Sequence, residues 1–135
     1  MAQMSAEDAH DAWERRHAVF ELLSFSNAPL GGMARGAEFD QAVAARSAER
    51  IIMLAGMIPE LFVPDTRGSG VETRAADTIW DNKADFDKLA ADLADGAAAA
   101  LEIINTQGAS GLRNAVREIG PKCGACHDRF RLDEE

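Results

Sequence analysis

Apolar residues recur at three- and four-residue steps over most of this chain, and no segment alternates with the period of two that marks a strand. Four stretches keep the helical period. The first is predicted over residues 6–25. Ser5 offers a hydroxyl cap, Glu7 and Asp8 suit the positive end of the helix dipole, and Ala9, Trp13, Arg16, His17, Phe20, Leu23 and Ser24 share one side. The run Asn27-Ala28-Pro29-Leu30-Gly31-Gly32 is expected to break that helix, with Gly36 keeping the next stretch irregular. A second helix is expected from a cap on Asp40 to about Gly56, with Val43, Ala44, Ser47, Ile51, Leu54 and Ala55 as its apolar stripe.

Pro59 and Pro64 then bracket a turn carrying Leu61, Phe62 and Val63, and residues 65–77 form the longest irregular stretch. The third helix has the cleanest period: Phe86, Leu89, Ala90, Leu93, Ala97, Ala100, Leu101 and Ile104. Gly96 inside it costs about 1 kcal/mol relative to alanine, yet permits close approach of another helix or a cofactor. Residues 105–108 end it. The fourth helix begins near Ser110 and keeps Leu112, Ala115, Val116, Ile119, Cys123, Cys126, His127 and Phe130 on one face, with an interruption or kink expected at Gly120-Pro121. Four amphipathic helices with short joins predict an all-α chain, an antiparallel four-helix bundle forming a single domain over residues 1–135.

Composition supports this and narrows the function. Apolar residues are 47% and charged residues 27%, a globular balance, and frequent alanine suits helices packed closely through small side chains. The net charge of −9 argues against nucleic acid and against an anionic membrane surface. No apolar run approaches the roughly 18 residues of a membrane span, so no membrane insertion is expected. The acidic residues 133–135 are expected to be solvated.

The most specific feature is Cys123-Gly124-Ala125-Cys126-His127, the attachment signature of c-type haem. Two thiols three positions apart reach the two vinyl groups of one porphyrin edge, and the following imidazole reaches the iron from one face. Cys123 and Cys126 are the only cysteines. Three other readings compete. A thioredoxin-like pair opens a helix in a βαβ pattern, which is absent here. A structural zinc site needs four ligands, and the remaining histidines, His10 and His17, lie more than a hundred positions upstream. Two inert core cysteines would leave His127 unexplained.

With that motif on the last helix of such a bundle, the chain resembles the cytochrome c′ family, the class II c-type cytochromes, over nearly its full length. The resemblance runs through Asp11-Ala12-Trp13-Glu14-Arg15-Arg16, Gly36-Ala37-Glu38-Phe39-Asp40, Thr73-Arg74 with Ile79-Trp80-Asp81 and Phe86, and finally Cys123-Gly124-Ala125-Cys126-His127-Asp128-Arg129-Phe130-Arg131. It implies one covalent haem c, a periplasmic home and a homodimer through the first two helices. It also implies a five-coordinate iron that binds NO and often CO, with a task in electron transfer or NO handling and an unidentified redox partner protein. A periplasmic protein needs an export leader, and Met1-Ala2-Gln3-Met4-Ser5 does not look like one. The expectation is that the sequence is a mature or recombinant form.

Carried over residue by residue, the resemblance makes Cys123 and Cys126 the thioether positions and His127 the axial metal ligand. Arg131 stands beside the proximal haem face, Arg16 near the propionates, Glu72 at a softer haem-contact position, and Phe20 at the apolar distal position. Phe86 is a core residue or a haem contact. His17 stands where relatives often have glutamine, and a neutral imidazole can make the same hydrogen bond to a propionate. It could alternatively approach the iron.

Phe20 sets the expected chemistry. A phenyl ring has no lone pair and crowds the open iron face, excluding water and favouring small apolar diatomics. Low-spin relatives place a methionine on the first helix, and none lies between Ser5 and Phe25, which predicts high-spin iron. The alternatives are a low-spin six-coordinate electron carrier, a weak peroxidase-type enzyme, and a bundle without haem that uses its thiols otherwise. Peroxidase chemistry wants distal acid–base groups that Phe20 does not supply, so a non-enzymatic protein is expected.

Overall fold

The structure, a computed structural model, describes residues 4–132. The acidic 133–135 stretch lies outside them. The elements are α1 (Ala6–Ala34), α2 (Gln41–Leu61), the short α3 (Thr78–Asp81), α4 (Lys83–Gln107) and α5 (Leu112–Phe130), with one 3-10 turn over Gly108–Gly111 leading into α5. The four long helices make the expected bundle. α4 packs against both α2 and α5, and α1 lies against α2 and, more lightly, α5.

Both predicted caps form: Ser5 Oγ accepts from the Asp8 N–H and Asp40 Oδ1 from the Val43 N–H, each at 3.1 Å. The expected ends do not all hold. α1 runs through Pro29 to Ala34 instead of breaking after Phe25, α2 runs through Pro59 to Leu61 instead of stopping near Gly56, and α5 passes Gly120-Pro121 without a break. The physical reason is the same each time. Proline removes one N–H and crowds the carbonyl four residues back, but apolar side chains beyond it are buried. Leu30 and Met33 follow Pro29 into the core, and Phe130 follows Pro121. Phe62 does the same past Pro59. Burying such a side chain contributes about 1.5–3 kcal/mol, which offsets the roughly 3 kcal/mol cost at Pro29, where two follow, and much of it at Pro59 and Pro121.

The core divides into two clusters along the bundle. One gathers Leu30, Ala44, Ala48, Ile51, Ala55, Leu93, Ala97, Ala100, Ile104 and Ile119, with Cys123 at its edge. The other is aromatic: Phe62, Phe86 and Phe130 with Val19, Ile58 and Ile79, and Phe20, Trp80 and Cys126 packed on it. Gly96 is a point of close approach between α4 and α5, as its sequence position suggested. A Cβ there would overlap the Glu118 carbonyl oxygen, with Lys122 Cγ also within 3.3 Å.

Candidate haem site

Cys123 and Cys126 are free, half-buried and on the inward side of α5, one at the edge of each core cluster. Both lie in the last two turns of the helix. That placement decides against a thioredoxin-like role, which needs a thiolate stabilised at a helix N-terminus. Burial pushes both thiols up, Cys126 to about 11, with the neighbouring Cys123 adding to the effect. Raised in this way, both stay in the thiol form near neutral pH, the opposite of what a redox nucleophile needs.

His127 follows on the last turn of α5. Burial first, and then the charge of Arg131, pull its pKa below the usual histidine value, while Asp128 opposes them. A neutral imidazole is the form that can donate its lone pair to a metal. Arg131 is fixed at the helix end by its N–H to the His127 carbonyl at 3.1 Å. Beside it the chain makes an isolated antiparallel bridge between Ala75 and Arg131. The Ala76 N–H donates to the Phe130 carbonyl at 2.9 Å and the Leu132 N–H to the Arg74 carbonyl at 2.6 Å. This stitch holds the long loop before α3 against the attachment helix. It is formed by backbone across more than fifty residues, and no local pattern announces it.

Phe20, on α1, faces this same end. It is half-buried, 6.2 Å from the Phe62 ring and tilted 59° to it. Phe86 is 2% exposed, 4.8 Å from Phe62 and edge-on to Phe130 at 5.4 Å. The structure therefore brings Phe20, Phe86, Cys126 and Phe130 into one apolar region, with Cys123 at the edge of the neighbouring cluster and His127, exposed, on the residue after Cys126.

Other expected residues sit differently. Arg16 is 5% exposed and is no solvated surface charge. Its Nε donates to the Leu61 carbonyl at 2.9 Å, Nη1 to Thr66 Oγ1 at 2.9 Å and Nη2 to the Pro64 carbonyl at 2.6 Å. Its guanidinium also stacks over Phe62 and Trp80, 4.5 and 5.3 Å from the ring centroids. Burial lowers its pKa and Asp65 partly counters this, yet an arginine stays charged in any protein. Arg16 is thus a clamp on the chain that leaves α2. Trp80 reinforces it, its Nε1 donating to the Phe62 carbonyl at 2.9 Å.

His17 points outward from α1, stacked on Trp13 at 4.9 Å and 2.9 Å from Glu21 Oε1. His10 also stacks on Trp13, at 5.8 Å, and meets Glu14 at 3.1 Å. Neither histidine converges with the cysteine pair, and among the described residues no group of three His, Cys, Asp or Glu side chains is placed to hold a metal ion. Glu72 is exposed in the loop before α3. The donor set fits a c-type haem: two unpaired thiols on one helix face, an imidazole on the next residue, and an aromatic, donor-poor region beside them.

Comparison with known proteins agrees. A family model described as Cytochrome C' matches residues 11–131. A cytochrome c′ of Rhodopseudomonas palustris is 34% identical over 122 residues, spanning 90% of this chain and 82% of that protein. Cytochrome c-554 of Cereibacter sphaeroides is 33% identical over 121 residues, spanning 87% of this chain and 90% of that protein. The solved structure of cytochrome c′ from Rhodopseudomonas palustris matches the fold with a TM-score of 0.85 at 33% identity, covering 93% of this chain and 98% of that one. The bundle, the inward cysteine pair with its trailing histidine, and these likenesses together make the chain a member of the cytochrome c′ family, a class II c-type cytochrome that takes a covalently attached haem c.

Proposed function

We propose that this protein is a periplasmic haem carrier of electrons or of NO and CO, with high-spin iron held on one side only. Bound haem c supplies an iron that exchanges single electrons and takes up diatomic gases at an open position. Cys123 and Cys126 anchor the group through sulfur, and His127 offers its ring nitrogen. Arg131, one turn on, and Glu72, on the stitched loop, are the candidate contacts for its polar edges. Arg16 and His17 are read differently from the family pattern. Arg16 acts on the site through the loop it grips, and His17 is spent on Trp13 and Glu21.

The observation that carries this reading is Phe20, which packs on a cluster whose buried members are all hydrocarbon. The one methionine of α1, Met33, lies thirteen residues beyond it, about 20 Å along the helix at 1.5 Å per residue. Its sulfur accepts the Asp40 N–H at 3.3 Å. Arg16, the buried cation nearest in sequence to Phe20, has donors already bound to the loop. It therefore makes a poor distal acid, and this favours carrier over peroxidase. The reduced protein should give a high-spin optical spectrum that changes fully on adding NO or CO. A low-spin spectrum indifferent to both gases would refute the reading.

Leu22, Phe25, Met53 and Met57 form an exposed apolar patch across α1 and α2, with Phe25 65% and Met53 72% exposed. Such patches mark association surfaces, and we assign this one to a homodimer. Sedimentation should find a dimer at micromolar concentration, and Phe25→Glu should shift it to monomer with an unchanged haem spectrum. A monomeric wild type would remove the assignment.

A further inference from the structure

α5 stands apart from the other helices in charge. α1 and α4 each carry two basic residues against five acidic ones, and α2 is balanced at two against two. α5 alone is net positive, with Arg113, Arg117, Lys122 and Arg129 against Glu118 and Asp128, and Arg131 follows at its end. Within an acidic chain of net charge −9, the helix that bears the attachment pair is thus locally basic.

The basic residues are also arranged. Arg113, Arg117, Gly120 and Gly124 recur at helical steps along the outer side of α5, opposite the buried Leu112, Ala115 and Ile119, Asp128 is the next residue at that step, and Arg131 follows just past the helix in extended backbone. Arg113, Arg117 and Arg131 are exposed and have no ion-pair partner among the described residues, whereas Arg129 is paired with Asp85 at 2.9 Å. Lys122 is excluded from the stripe because its stem lies against Gly96.

The glycines add an independent observation. A Cβ at Gly120 or Gly124 would meet nothing within 4 Å, so packing within the chain requires neither. Each costs about 1 kcal/mol of helix stability relative to alanine. Gly120 eases the step into Pro121, but Gly124 has no such local reason. Together they leave a smooth section of helix beside Cys123, one step beyond Arg117, where another surface can come close to the backbone.

We propose that this outer stripe of α5 is the docking surface for a redox partner protein that presents an acidic face, with Gly120 and Gly124 admitting that face close to the attachment site. The inference rests on the electron-transfer reading. Opposite charge steers and orients the encounter, and the smooth section shortens the path that an electron crosses.

The test sets the local charge against the global one. Ferrous holoprotein is oxidised in a stopped-flow instrument by anionic hexacyanoferrate(III) and by a cationic tris(phenanthroline)cobalt(III) complex. Salt is raised from about 10 mM to about 1 M, which shrinks the screening length from roughly 30 Å to roughly 3 Å. A basic docking stripe predicts that the hexacyanoferrate rate falls on the order of tenfold with salt while the cobalt rate rises. The net charge alone predicts the reverse for both. The double variant Arg113→Glu, Arg117→Glu, checked for an unchanged spectrum, should reverse the hexacyanoferrate dependence. A wild-type hexacyanoferrate rate that rises with salt, or a double variant with an unaltered slope, would overturn the proposal. If neither oxidant reacts, the electron-transfer reading itself falls and takes the stripe's role with it.

Discussion

Replacing Gly96 by alanine should unfold this protein at a temperature at least about 10 °C lower than wild type. Helix propensity alone predicts the opposite, a gain of about 1 kcal/mol, because alanine is the better helix former. The geometry decides the sign. The added methyl would lie inside the contact distance of the Glu118 carbonyl oxygen, and that oxygen belongs to the α5 backbone. Backbone cannot rotate aside as a side chain can, so α4 and α5 must move apart at Gly96. Overpacking costs about 1–3 kcal/mol where side chains can adjust and more where they cannot. For a chain of 135 residues each kcal/mol moves the transition by roughly 4 °C. The control is Gly56→Ala on α2, where the new Cβ meets nothing within 4 Å and a small rise is expected. Thermal circular dichroism of the two holoprotein variants, at matched concentration, gives both signs. A neutral Gly96→Ala would show that the helices approach less closely than described.

Arg16→Met should cost about 2–4 kcal/mol and loosen the loop before α3. The methionine fills similar volume, but the carbonyls of Leu61 and Pro64 and the Thr66 hydroxyl lose their donor. Leaving buried acceptors unsatisfied costs about 1–3 kcal/mol for each that water does not reach. Arg16→Lys should recover little, since one ammonium cannot reproduce a planar fork that reaches three acceptors and stacks on two rings. Thermal unfolding reads the stability, and limited proteolysis reads the loop, with faster cleavage expected between residues 62 and 77. Wild-type resistance in the methionine variant would mean that the stitch to Phe130 and Leu132 holds the loop without Arg16.

These two residues mark the limits of what the sequence discloses. Gly96 was legible as a close approach because it interrupts a clean apolar period, although the partner, Glu118, was not. Arg16 was legible as a charge on the apolar side of the first helix, but its hydrogen-bond partners were not. Its acceptors lie 45 to 50 positions away, in a segment whose two prolines obscure any period. His17 looked like a neighbour of Arg16 on the apolar face, yet one residue turns a helix by about 100° from its neighbour, enough to carry it to the solvent side. Helix interiors were legible from periodicity. Their ends at Pro29 and Pro59 were not, since local rules stop a helix at proline while burial of Leu30, Met33 and Phe62 beyond it carries the chain on. Short α3 was missed because four residues are too few to show a period. Cys123, Cys126 and His127 were legible because haem attachment is written in five consecutive residues, with no dependence on tertiary contacts.

The central claim is that haem is joined by sulfur to the end of α5 through Cys123 and Cys126. Proteolysis of the holoprotein after acid–acetone treatment, followed by mass spectrometry, tests it most directly. The peptide containing residues 123–127 should carry one porphyrin on its two sulfurs. Recovery of that peptide with both thiols free, the pigment having passed into the acetone, would contradict the account.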